Sequence, residues 1–196
     1  MRDASTANAP SKKATTGPKE STPPLRTFSW PYWLVLTCLV VSLIIYFAYR
    51  GKHLHAASIT PTSILDTRIM GFTPSEARET LRALGPKGRD IYKEINRIDF
   101  VLAPIVFREY LLNTFPATSR RNDFVRELMA NMCGLGDLLE NVSVAIMLKT
   151  YPKVLDIFAW AGCVGNVVKN VGIFFSILSV LYEAYVWIRG RKLKKQ

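Results

Sequence analysis

The chain has 196 residues, 49% of them hydrophobic, and a formal net charge of +11. That length holds one domain plus tails. The basic excess does not indicate nucleic acid, because the basic residues flank apolar runs, where positive charge sets orientation and meets anionic lipid headgroups.

Residues 1–28 are rich in Ser, Thr, Ala, Pro and Lys and offer almost nothing to bury, so a disordered tail is expected. Scarce acids also suit a mitochondrial or plastid transit peptide, but Asp3 and four prolines work against the amphipathic helix that one needs. Trp30–Tyr49 follows, 20 residues without a charge. At 1.5 Å per residue this matches a hydrocarbon layer about 30 Å thick. Trp30, Tyr32 and Trp33 mark one interface, and Tyr46, Phe47 and Tyr49 the other. The run is too long, and begins too late, for a cleaved signal peptide.

A polar stretch then runs to about Arg97. Within it, Thr73-Pro74-Ser75-Glu76 has the residues of a helix start with a capping box. The predicted helix, Pro74–Leu84, places Ala77, Leu81 and Leu84 on one face, to lie on the membrane surface or on the bundle. Gly85 ends it and Pro86 restarts a helix. A second span is predicted at about 98–115, interrupted by Pro104, Arg108 and Glu109 and ended by Phe115-Pro116. A third covers Leu128–Leu148, and a fourth about Phe158–Tyr182. Residues 189–196 form a basic tail.

The fold class expected is therefore all-α. It is a transmembrane four-helix bundle over residues 29–188, with one short amphipathic helix. Four spans place both termini on one side. Positive residues number 13 on that side and 11 on the other, leaning the termini toward the cytosol or matrix. The expected location is a membrane, crossed several times.

The predicted spans carry groups that lipid does not welcome. Asp137, Glu140 and Asn141 follow an i, i+3, i+4 pattern, and so do Asn166, Lys169 and Asn170. Each trio thus shares one helical face. Counting residues from the span ends puts Glu140, Lys169, Arg108 and Glu109 at similar depth near mid-membrane, with Asp99 nearer the surface. Charge there is costly and is normally hidden in the bundle or paired. Two readings stand side by side. The groups are hydrogen-bonding glue that fixes helix register, or they form a proton-, ion- or ligand-linked site. The candidate polar core is Asp99, Glu109, Asp137, Glu140, Asn141, Asn166, Lys169 and Asn170. Arg108 lies across the helix from Asp99, so a kink at Pro104 or snorkelling is needed.

Other signals are weaker. Asn141-Val-Ser143 matches a glycosylation sequon at membrane depth, where it has no use. His53 and His55 follow the first span and read as interfacial. Cys38, Cys133 and Cys163 lack metal-ligand spacing, so no metal is expected. Gly134, Gly136, Gly162 and Gly165 permit close helix approach. No P-loop, dinucleotide fingerprint or nucleophile motif appears, and no cofactor is expected.

The elements Phe72-Thr-Pro-Ser-Glu-Ala77, Leu84-Gly-Pro-Lys-Gly-Arg89-Asp-Ile-Tyr92, Asp99 with Pro104, Asp137-Leu-Leu-Glu-Asn141, Tyr151-Pro152 and Lys169 form a recognisable set. Together they resemble an uncharacterised family of small four-span integral membrane proteins. The likeness covers about residues 30–188, with Asp-x-x-Glu-Asn its most specific element. It implies the four-span architecture and an acidic face as part of the family pattern. Arg108 and Glu109 have no counterpart in it, and it supplies no activity.

The function expected is a non-enzymatic assembly or transport-type membrane component with a polar core. Its partners would be the bilayer, anionic headgroups met by the basic tails, and another membrane protein. The alternative is a lipid-modifying enzyme resembling the sterol isomerases, with Asp137, Glu140 and Glu109 as acid and base. A cavity separates the two: an enzyme needs an apolar pocket beside the carboxylates, an assembly protein a closed core.

Overall fold

The computed structural model describes residues 29–60, 64–114 and 119–193. The expected disordered tail at 1–28, the Phe115-Pro116 stop and the last tail residues lie outside these. Among the described residues the chain is all helical, in four helices: α1 (Trp30–Ala57), α2 (Pro74–Asn113), α3 (Arg120–Thr150) and α4 (Asp156–Leu193). A single 3-10 turn, Leu65–Thr67, lies between α1 and α2.

Cross-helix pairs fix the directions. Arg50 meets Glu94 and Tyr32 meets Glu109, so α1 and α2 are antiparallel. Asn96 meets Asn141 and Arg108 meets Asn131, so α2 and α3 are antiparallel too. Gly136 lies against Gly165, and Cys133 against Gly172, which orients α4 against α3. The bundle is thus up-down-up-down, and α1 begins at the end where α4 finishes.

Every helix extends beyond its predicted apolar run. α1 continues eight residues past Tyr49 to Ala57. Arg50 and Leu54 remain useful in helical form there, the first pairing with Glu94 and the second buried. The capping box forms as predicted: Thr73 Oγ1 accepts from Glu76 N at 3.3 Å, and Glu76 Oε2 accepts from Thr73 N at 2.7 Å. Gly85 breaks α2 with φ 65°, ψ 179°, a conformation open to glycine and strained for other residues. The arm before it, 74–84, buries Ala77, Leu81 and Leu84 completely. Its apolar face therefore lies on the bundle and not on a membrane surface. The helix continues through Pro104, so no break at that point redirects Arg108.

The main apolar core sits at the arm end. Leu54, Leu65, Phe72, Leu81, Leu84, Tyr92, Ile95, Val144 and Met147 pack together there. Toward the other end a smaller cluster of Val40, Leu43 and Val106 holds α1 to α2. Among the helices, α1 packs closely on α2 alone, whereas α3 and α4 are joined along their length.

Two helices, α1 and the Asp156–Arg189 stretch of α4, are long and apolar enough to cross a membrane. α2 and α3 do not reach that level by their own composition. Their buried polar residues include Asn96, Arg126, Asp137 and Glu140.

Candidate functional site

The site is built on the α3–α4 pair. A Cβ added to Gly165 would lie 2.6 Å from Glu140 N and 2.7 Å from Gly136 O, and one added to Gly172 would lie 2.5 Å from Cys133 N. Only glycine lets the backbones come this close. The approach brings the two polar faces into register. Lys169 Nζ lies 3.2 Å from Asp137 Oδ1 and also pairs with Glu140 Oε2. The Glu140 side chain is fully buried, and those of Asp137 and Lys169 are nearly so.

Amides complete the second rank. Asn166 Nδ2 donates to Glu140 Oε1 at 2.7 Å, and Asn170 Nδ2 donates to Asn166 Oδ1 at 3.1 Å and to Ile69 O at 3.2 Å. The last bond ties the α1–α2 connection to α4. Asn96 Nδ2 donates to Asn141 Oδ1 at 2.9 Å, joining α2 to α3.

Two further carboxylates stand beside this group. Asp99 stands on the same wall as Asp137. Asp66, on the 3-10 turn, accepts from Tyr92 Oη at 2.7 Å. Burial pushes the Asp66 carboxyl above its ordinary range, opposed by the Lys169 ammonium and the Tyr92 hydroxyl. Burial and the adjacent Asp66 hold the Tyr92 phenol well above its usual value. Asp66, Tyr92 and Asn96 are not in the candidate polar core read from the sequence. They lie in the polar stretch before the second predicted span and follow no periodic signal that would mark them as inward-facing.

These groups face open space. A cavity of about 600 Å³ is lined by Asp66, Asp99, Asp137, Lys169 and Asn170 at its polar wall, and by Phe47, Ile95, Ala103, Phe107 and Ile173 elsewhere. Gly51 and His55 also line it. α1 and α4 both border the cavity and do not pack closely on each other.

The cluster lies off the middle of the first apolar run. Interpolating between the Arg50–Glu94 and Tyr32–Glu109 pairs sets Asp99 level with roughly Ile44 of α1. That is about 8 Å inside the Tyr49 end of that run at 1.5 Å per residue. The apolar part of the cavity extends inward from there, toward Pro104, Phe107 and Ile173.

Glu109 and Arg108 do not join the cluster. They pair with each other nearer the α1 N-terminus, where Arg108 Nε donates to Asn131 Oδ1 at 2.7 Å and Tyr32 Oη donates to Glu109 at 3.5 Å. Counting from span ends had put them level with Glu140. The helices overrun those ends, so the count carried an offset. Asp99, expected nearer the surface, stands on the cavity wall.

No family model, curated protein or solved structure matches this chain. Its chemistry is therefore argued from its own residues. Among the described residues no group of three or more His, Cys, Asp or Glu is arranged to hold a metal ion. The arrangement can do two things. It can neutralise and hydrogen-bond a polar group presented at the cavity wall, and it can exchange a proton there.

Proposed function

We propose that the protein is a four-span membrane protein that binds an apolar ligand with a polar end, as a transport-type component of its membrane. The observation that carries this reading is the cavity. Its volume of about 600 Å³ lies in the range of small-molecule sites. Its lining is apolar with a few convergent polar groups, the usual composition of such a site. An assembly protein held by polar glue alone has no use for this space.

Four spans follow if α2 and α3 cross beside α1 and α4. Their charges are compatible with that because they are turned inward: Lys169 neutralises Glu140 and Asp137, and Asn96 serves Asn141. The resemblance to small four-span proteins supports the same topology.

Gly51 offers a direct test. It lines the cavity, and a Cβ placed there meets nothing within 4 Å. Gly51→Phe should fill space without disturbing packing. Native mass spectrometry of the wild-type protein extracted from its membrane should show a bound small apolar molecule, and Gly51→Phe should lose it at unchanged stability. Equal occupancy in both proteins would remove the cavity as the binding site.

A second reading keeps the same space. Asp99 and Asp137 face it beside Lys169, the placement a lipid-modifying enzyme needs to shuttle a proton to an apolar substrate. Growth and lipid profiling of an Asp137→Asn strain separates the two. A membrane lipid that accumulates unconverted favours the enzyme, and an unchanged lipid set favours binding or transport.

A further inference from the structure

We infer that the ligand is a single-chain amphiphile with a cationic head, received by Asp66 and Asp99. This rests on the cavity being a ligand site, and it adds the sign of the ligand's charge and its orientation.

The charge count comes first. Four carboxylates converge on the cavity wall and the rank behind it: Asp66, Asp99, Asp137 and Glu140. One ammonium, Lys169, faces them, and it is engaged by both Asp137 and Glu140. Asp66 and Asp99 have no salt-bridge partner among the described residues. Of the bases at this end of the bundle, Arg50 is committed to Glu94 and Arg68 to Glu76. The wall is therefore short of positive charge, and a surplus of anions facing apolar space is unfavourable until a cation or protons enter.

The surroundings favour a cation. Tyr92, wholly buried, spends its hydroxyl proton on Asp66 at 2.7 Å. Asn141 is wholly buried and its Nδ2 has no hydrogen-bond partner. A cationic head leaves the Tyr92 bond to Asp66 in place and supplies the positive charge that the wall lacks.

The shape then orients the ligand. Asp66 and Asp99 lie toward the end of the apolar band, while Ala103, Phe107 and Ile173 continue the cavity inward. An amphiphile would set its head near the membrane interface and its chain along the apolar wall. That is the depth and direction it already has in a bilayer.

The test uses the full chain in phosphatidylcholine nanodiscs at pH 7, with three probes of equal chain length: dodecylamine, dodecanol and dodecanoate. Binding is read by native mass spectrometry and by thermal shift. Dodecylamine should bind about tenfold or more tighter than dodecanol, as a charge-assisted contact requires, and dodecanoate should be weakest. In Asp66→Asn/Asp99→Asn the preference should collapse to within about twofold, because no charge then faces the head. Equal binding of all three probes to wild type would overturn the cationic assignment and leave the cavity reading intact. Tightest binding of dodecanoate would overturn it in favour of Lys169 as head partner. Failure of every probe to bind would remove the cavity reading as well. Should the double variant not accumulate, the wild-type probe series alone decides.

Discussion

Replacing Lys169 with Met should be the most damaging single change in the bundle. Met keeps the length and apolar stem of Lys169 and removes only the ammonium. Glu140 then stays fully buried with Asn166 as its one donor among the described residues, and Asp137 loses its 3.2 Å partner. Breaking a buried pair by deleting one partner costs about 3–5 kcal/mol. Glu140→Gln is milder. The amide oxygen can still accept from Asn166, and Lys169 keeps Asp137, so the loss is that of one hydrogen bond to a charged group, about 1.5–3 kcal/mol. Independent losses would sum to about 5–8 kcal/mol. The double variant should instead be no less stable than Lys169→Met alone, because the deepest orphaned carboxylate has gone with its partner. A coupling of about 1.5–3 kcal/mol is expected. Adding Asp137→Asn should recover more. The assay is unfolding of the detergent-solubilised proteins by SDS titration, followed by tryptophan fluorescence. Losses that add to within about 0.5 kcal/mol would show that the three groups do not act as one network.

Gly165→Ala should lower stability sharply and reduce accumulation, because its Cβ would fall 2.6 Å from Glu140 N. Gly51→Ala, in open space within α1, should gain about 0.5–1 kcal/mol in the same titration. Gly85→Ala should cost about 1–3 kcal/mol in backbone strain, since φ 65°, ψ 179° is essentially a glycine conformation, and Ile59 lies 2.8 Å from the added carbon. Bonds from the Thr73 backbone and side chain hold the Glu76 carboxyl below its ordinary value. Its contribution is therefore present above the unfolded carboxyl pKa and is lost as pH falls through the folded one. Hydrogen exchange at residues 74–77 should speed up over that interval, and Glu76→Gln should abolish the pH dependence. Tags on the two ends should report the same compartment.

Much of the architecture was legible because it is periodic. Apolar runs located all four helices, and the capping box marked the start of α2 to the residue. The i, i+3, i+4 trios foretold that Lys169 would meet Glu140 and Asp137, since matched faces on consecutive antiparallel helices have few other places to go. What escaped was set by contacts between distant segments. Asp66 reaches the site on a single 3-10 turn, held by Tyr92 from α2 and, through Ile69, by Asn170 from α4. No local pattern encodes that. The burial of the 74–84 arm was ambiguous for a similar reason. One apolar face serves a membrane surface or a bundle equally well until Leu54, Phe72 and Met147 are seen to cover it. Arg108 and Glu109 fall away from Glu140 because helix length exceeds apolar length. Arg50 and Leu54 show that α1 remains helical well past its last uncharged residue.

The loose seam between α1 and α4 has a consequence for how occupancy is to be counted. In the proposed four-span arrangement, that seam would face acyl chains and not bulk water. A molecule entering through it comes from the two-dimensional pool already dissolved in the membrane. Half-saturation would then follow the mole fraction of ligand among lipids. Diluting the sample with buffer would barely release a partitioned amphiphile, whereas adding empty vesicles would strip it. Dissociation constants quoted per litre would drift with every change in lipid-to-protein ratio, and the same protein would look tight in one preparation and weak in another.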